Sequence, residues 1–261
     1  MYRLTREVRF AVTEAGPDSA LNGHGGVPAV SAIGPWLALR ITLTGALDPS
    51  SSYLRNIKQI DQVARERAVP ILLSSYRDPH QSSRLGCIPA EVVRALGGAW
   101  PGVALERLEI AFSPFCSIAA VTKELPMTRL SQKFEFSAAH RLHNPNLSDA
   151  ENVRTYGKCN NPHGHGHNYE VQVTVRGQPN PAGVVIAVSE LERIVHETVI
   201  QKLDHKHLNL EVPEFHSVIP SVENIAAVIF QLLKPKTAAA GAALASVTVW
   251  ETPKTWCEYS E

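Results

Sequence analysis

Gly157-Lys-Cys-Asn-Asn-Pro-His-Gly-His-Gly-His-Asn-Tyr169 runs directly into Glu170-Val-Gln-Val-Thr-Val-Arg-Gly177. From His165 onward the stretch alternates. His165, His167, Tyr169, Val171, Val173 and Val175 share one parity; Asn168, Glu170, Gln172, Thr174 and Arg176 take the other. Successive side chains of a strand point to opposite faces, so this is a half-buried strand whose His-x-His pair looks to one side. Upstream, Phe134, Phe136, Ala138 and His140 alternate in the same way. Two strands that carry histidines at their facing ends can aim three imidazoles at one point.

Around these strands the second half of the chain reads β-β-β-α-α-β, a mixed α+β domain. A turn region over Gly177–Gly183 leads to a short expected strand, Val184–Val188. Ser189-Glu-Leu-Glu192 has the form of a capping box, opening a helix with Leu191, Ile194, Val195 and Val199 on one side. Ser221-Val-Glu-Asn224 opens a second helix with Ile225, Val228, Ile229 and Leu232. An Ala/Gly-rich loop, Thr237–Ala243, precedes a last strand, Ser246–Glu251.

The first half repeats the outline. Val8–Val12, Leu37–Gly45 and Leu105–Phe112 match the strands, Asn22–Gly26 matches the histidine run, and Ser51–Ala68 matches the first helix. This pattern predicts a tandem duplication with a hinge near Thr122–Met127. The first copy has lost the chemistry: Glu14 stands opposite His140, His24 opposite His165, Gly26 opposite His167 and Phe112 opposite Glu251. Residues 1–122 are therefore expected to be a degenerate copy without a metal site, and residues 128–261 the catalytic domain.

The chain has 261 residues, 44% of them apolar, which suffices for two small cores. Its 25 basic and 25 acidic residues balance, against a nucleic-acid or membrane-surface partner. Met1–Glu7 has no apolar leader segment, and no stretch reaches the roughly 18 apolar residues of a membrane span. Cys87, Cys116, Cys159 and Cys257 are scattered with no CxxC pair, so a reducing cytoplasm is expected rather than a disulfide framework.

A catalytic zinc site takes three protein ligands and leaves a fourth position open. His140, His165 and His167 form such a set. His163 and His165 make a second His-x-His pair, but Pro162 and the glycines place His163 in a loop, which favours 165 and 167. His143 falls in the polar loop after its strand and reads as a solvated or substrate-side residue. Cys159, six residues before His165 and next to Lys158, reads either as a small buried residue or as a thiolate able to act as a general base. Asp204-His205 is either a polar helix end or a relay that tunes Cys159. Glu251 is either an ordinary strand-end acid or an acceptor of two parallel N–H bonds from a guanidine-like edge.

Five segments then fall in one order: Phe136-Ser-Ala-Ala-His-Arg-Leu142, the Cys-to-His-Gly-His run, Leu203-Asp-His-Lys-x-Leu-Asn209, Glu223-Asn-Ile-Ala226 and Trp250-Glu-Thr252. Together they resemble the 6-pyruvoyl-tetrahydropterin synthase family over about residues 130–261. The first half resembles the same tunnelling fold in outline only. The resemblance implies two tandem tunnelling-fold domains, each an antiparallel sheet with two helices packed on one face. It implies 7,8-dihydroneopterin triphosphate as substrate, losing triphosphate with internal redox of the side chain. It implies Zn²⁺ on His140, His165 and His167, Cys159 as base with Asp204 and His205 completing a triad, and Glu251 as pterin anchor with Glu223 as a second contact. It implies a ring-shaped homo-oligomer, here a trimer of tandem chains, with no nucleic-acid or membrane partner.

Two departures stand out. Ala187 occupies a position where many relatives carry Asp or Asn. A sister enzyme, 6-carboxy-tetrahydropterin synthase, places its cysteine four residues before His-Gly-His; Cys159 is four before His163 and six before His165. The alternatives are thus the carboxy product on the queuosine and deazapurine route and, from another class, a silent pterin-binding or assembly protein.

Overall fold

A computed structural model describes residues 1–12, 26–27, 30 and 33–261. The chain divides into two compact units. Unit 1 comprises Met1–Ser131 with Arg176–Val185; unit 2 comprises Gln132–Val175 and Ile186–Glu261. The division falls a few residues after the expected hinge, which forms a 3₁₀ turn at Thr122–Glu124. The segment after the second long hairpin strand joins unit 1, where Gly86 N donates to Gly183 O at 2.8 Å.

Unit 1 begins with β1 (Tyr2–Ala11) and β2 (Trp36–Gly45). Helix α1 (Ile57–Val63) starts at Asn56, whose side chain accepts from Lys58 N, and continues through a π-helical turn (Ala64–Ala68) into α2 (Val69–Arg77). The short α3 (Pro79–Ser82) and α4 (Ile88–Leu96) lead to β3 (Val103–Ala111) and β4 (Cys116–Val121). The strands lie in the order β1-β2-β3-β4. Each neighbouring pair is antiparallel. Alternation gives the sheet its two faces. Val8, Phe10, Leu39, Ile41, Leu108 and Ile110 are fully buried in one core with Ile60, Leu72, Val92 and Leu96 of the helices. Each such side chain contributes roughly 1.5–3 kcal/mol by leaving water. The other parity carries a charge ladder: Glu7 pairs with Arg9 and Arg40, and Arg40 reaches across register to Glu109.

Most of β5 (Thr128–His140) and β6 (His165–Gly177) lies in unit 2, linked by α5 (Asp149–Tyr156) and a 3₁₀ turn at Gly157–Asn160. Helix α6 (Val188–Val195) passes through a π-helical turn (His196–Ile200) into α7 (Gln201–Leu203). Then come β7 (Lys206–His207), α8 (Leu208–Glu211), α9 (Val222–Ala239), β8 (Ala243–Thr252) and β9 (Thr255–Tyr259). The order is β5-β6-β8-β9, with β7 pairing parallel to β5. Tyr169, Val171 and Val173 of β6 and Val247 and Val249 of β8 are fully buried, as are Leu191, Val195, Ile225, Ile229 and Leu233 of the helices. Both units thus share two strands, a helix broken by one π turn, a further helix and two closing strands.

Several local expectations are corrected. Val184–Val188 is not a strand: Gly183 has φ +80°, and Val188 already belongs to α6. That helix is capped from Ala187 with no side-chain bond, so Ser189 and Glu192 lie inside it and form no capping box. The real capping box is Ser148 with Glu151, at the head of α5. The first helix starts at Ile57 rather than Ser51, and α9 extends to Ala239 into the expected loop. Glu14, His24 and most of Asn22–Gly26 lie outside the described residues.

Candidate metal centre

Phe136, Ala138 and His140 share the inward face at the end of β5, and His165, His167 and Tyr169 share that of β6. The turn between them closes through Gly164, whose φ of +73° suits a residue without a side chain. A Cβ on Gly164 would meet His207 Nε2 at 2.7 Å and the His140 carbonyl oxygen at 3.0 Å. The three rings gather with centroids 4.5 Å (140–165), 5.2 Å (140–167) and 4.9 Å (165–167) apart. Beneath them Phe136 stacks on Tyr169 at 4.9 Å.

His140 is fully buried, and its Nδ1 lies 2.6 Å from Pro220 O. A carbonyl only accepts, so Nδ1 carries the proton and Nε2 presents its lone pair. That lone pair lies 3.1 Å from His165 Nε2. Glu251 Oε1 approaches within 3.3 Å of His140 Nε2 and 3.5 Å of His167 Nε2. One donor atom from each of His140, His165, His167 and Glu251 lies within 4.8 Å of all the others. His165 Nδ1 and His167 Nε2 are buried without a hydrogen-bond partner. Buried polar atoms of this kind ask for a partner, and a cation supplies one to His167 and to the His140 lone pair together. The donor set therefore fits a metal ion.

Electrostatics agree with that fit. Burial, reinforced by His165, His167 and His207 and opposed by the Pro220 hydrogen bond, holds His140 down at about 4. It is a neutral imidazole at physiological pH, the form a metal needs. His165 is lowered too, first by burial and then by His167, against the pull of Glu251. Burial, then Glu251 and Cys159, push the Tyr169 phenol up, and its hydroxyl has no partner.

The remaining expected residues do not join this cluster. Asp204 Oδ1 accepts from Ser137 N at 2.9 Å, and its Oδ2 lies 2.8 Å from His205 Nδ1. The Ser137 backbone and then His205 hold the Asp204 carboxyl below its usual value. The pair sits along β5 on the side away from β6, because Lys206 pairs with Ala138. The His205 side chain is 82% exposed, with φ +57°. It lines a groove of about 500 Å³ with His167, Asn168, Lys206 and His207. Cys159 is half-buried on the 3₁₀ turn, and its carbonyl accepts from Leu142 N. Among the described residues no hydrogen bond joins its sulfur to Asp204 or His205. Glu223 lies in the first turn of α9, held below its usual value first by the Ser221 hydroxyl, and its charge is felt at Cys257. His143 bonds Asn160 Oδ1 at 3.0 Å, and His163 is exposed on the turn.

Sequence reasoning missed two participants. The Pro220 carbonyl orients His140, and a backbone oxygen leaves no signature in a sequence. His207, half-buried over Gly164, was the variable position of the Asp-His-Lys segment; its histidine identity was the available signal. Among the described residues, no second group of three or more metal-ligating side chains exists.

Three imidazoles and a carboxylate gathered on an α+β sheet make a site with the donors to hold a metal ion. Comparison with known proteins is more specific. Residues 129–261 match the family model for 6-pyruvoyl tetrahydropterin synthase, and the chain belongs to that family. It is 46% identical over 125 residues to the human 6-pyruvoyl tetrahydrobiopterin synthase, covering 48% of this chain and 85% of the relative. The Drosophila melanogaster enzyme of that name is 42% identical over 140 residues, covering 51% and 80%. A 6-carboxy-5,6,7,8-tetrahydropterin synthase from Haemophilus influenzae is 30% identical over 156 residues, covering 52% and 100%. The solved Caenorhabditis elegans 6-pyruvoyl tetrahydropterin synthase is 38% identical, covers 52% of this chain and 96% of its own, and superposes with a TM-score of 0.49.

Proposed function

We propose that unit 2 converts 7,8-dihydroneopterin triphosphate to 6-pyruvoyl-tetrahydropterin with release of triphosphate, as a zinc-dependent lyase. The observation that carries this reading is the convergence of His140, His165 and His167, with His140 locked by Pro220 in the ligating tautomer. Zinc held by His140, His165 and His167 would polarise the side-chain hydroxyls and so acidify the adjacent C–H bonds. Cys159 removes the proton. Asp204 holds His205 through Nδ1, leaving Nε2 of that exposed ring to exchange protons. Glu251 accepts the guanidine-like edge of the pterin, and Glu223 is its second contact.

In this reading residues 1–122 are an architectural copy and residues 128–261 the catalytic domain. The shared strand order and the π turn at matching places in both units support it. Three tandem chains would close a ring; unpaired strand edges supply the drive and closed symmetry the limit. No helix among the described residues is long and apolar enough to cross a membrane, and we place the protein in the cytoplasm.

The cysteine four residues before His163 favours a second reading, the 6-carboxy product from the same substrate. Triphosphate release tests the shared reading. It should stop when a chelator strips the metal and return with zinc; release that survives full metal removal would defeat it.

A further inference from the structure

We infer that Asn209 is a positioning residue: its side-chain amide stands in for a neighbouring strand at the end of β5 and sets where His140 and the Cys159 turn lie. The inference rests on the proposed zinc site and base and deepens that reading.

Residues 204–209 run alongside the last residues of β5. Ser137 N donates to Asp204 Oδ1 at 2.9 Å, and His205 N donates to Ser137 O at 2.6 Å. Ala138 then pairs with Lys206, and Ala139 with His207. There the main-chain ladder stops, because α8 starts at Leu208. Arg141, half-buried just past the strand end, still carries a backbone N–H and C=O that need partners. Asn209 supplies both. Arg141 N donates to Asn209 Oδ1 at 2.8 Å, and Asn209 Nδ2 donates to Arg141 O at 3.0 Å. An amide side chain holds an acceptor and a donor side by side, as a further stretch of strand would.

The clamp grips the middle of a three-residue segment that has the proposed chemistry at both ends. On one side is His140, whose Nδ1 lies 2.6 Å from Pro220 O. On the other is Leu142, whose N donates to Cys159 O at 2.9 Å. Arg141 Nε adds a second tie to that turn, to Asn160 O at 3.2 Å. The Pro220 bond fixes the tautomer of the imidazole, but the ring still moves with its own backbone. The backbone of Arg141 therefore spaces the proposed ligand from the proposed base, and Asn209 holds that backbone.

Amide exchange and zinc competition against a chelator test this. In Asn209→Ala the Arg141 amide should exchange at least about tenfold faster. Zinc should bind about 10–100-fold more weakly. Turnover should fall through kcat, with KM unchanged. Asn152→Ala is the control. That amide is fully buried, and its bonds go to Asn144, Leu147 and Ser148 rather than to residues 140–142. It should lose stability and keep the zinc affinity of the unaltered chain. Unchanged zinc affinity in Asn209→Ala, or an equal loss in Asn152→Ala, would overturn the inference. If Asn209→Ala fails to fold, Asn209→Asp replaces it. That variant keeps the acceptor for Arg141 N and loses the donor to Arg141 O, so it should lose zinc affinity by a smaller factor, and no loss would overturn the inference. An unaltered chain that binds no zinc would instead sink the metal reading itself.

Discussion

Gly164 and Gly166 flank His165 in the same motif, yet replacing Gly164 with alanine should be costly and replacing Gly166 nearly neutral. Gly164 has φ +73°, and a Cβ there would lie 2.7 Å from His207 Nε2 and 3.0 Å from the His140 carbonyl oxygen. The left-handed backbone costs an alanine about 1–2 kcal/mol. His207 can swing aside, but the His140 carbonyl belongs to the backbone of a proposed ligand, and relieving that contact adds about 1–3 kcal/mol. Gly164→Ala should therefore destabilise unit 2 by about 2–5 kcal/mol. By moving His140 it should also weaken metal binding about 10–100-fold, the usual loss when a ligand's support is disturbed. A Cβ on Gly166 meets only Ala138 O, at 3.6 Å, an ordinary contact. Gly166→Ala should stay within about 0.5 kcal/mol of the unaltered chain. Urea unfolding of the metal-free proteins gives the first quantity, and competition against a chromophoric chelator the second. A Gly164→Ala chain as stable and as tight for metal as the parent, or a Gly166→Ala chain worse than it, would refute the reasoning.

Three further outcomes follow from the site and its scaffold. Metal analysis should find about one zinc per chain, as a single three-histidine site requires, and none in His165→Ala; two per chain would reveal a site in unit 1. Cys159→Ala should keep its metal and lose turnover by about 10²–10⁴-fold, and near-parental turnover would reduce Cys159 to packing. In unit 1, bonds from the Ser50 hydroxyl and then Ser51 hold Asp48 down at about 2 rather than 3.8. A depressed carboxyl stabilises fully above its unfolded value and loses that contribution as pH falls toward its folded one. Asp48→Asn should therefore be less stable than the parent at neutral pH and converge with it between about pH 4 and pH 2; a gap undiminished at pH 2 would contradict this.

The legible parts of this protein were those with a period. The alternation of His165 to Val175 placed two histidines of the cluster on one face, and that of Phe134 to His140 placed the third. What lacked a period was misread. Helix α5 buries only Asn152, so no apolar stripe announced it, although its capping box was written plainly at Ser148 and Glu151. The short apolar run Val184–Val188 fits a strand or a helix start equally, and Gly183 decided it. Strand β9 is five residues behind a tight turn, too short to alternate convincingly. The π turns at 64–68 and 196–200 have no local signature, yet they are the most specific likeness between the two units. At the site, adjacency in sequence put Asp204 beside His205, but only the pairing of β7 with β5 showed that the pair is held along that strand, at Ser137.

The most direct test of the central claim is the product. The zinc-loaded chain, incubated with 7,8-dihydroneopterin triphosphate, should release triphosphate and yield 6-pyruvoyl-tetrahydropterin by mass, with no two-carbon fragment. Acetaldehyde with a 6-carboxy pterin would transfer the chain to the sister reaction, and intact substrate after prolonged incubation with zinc would contradict the assignment of a catalytic centre.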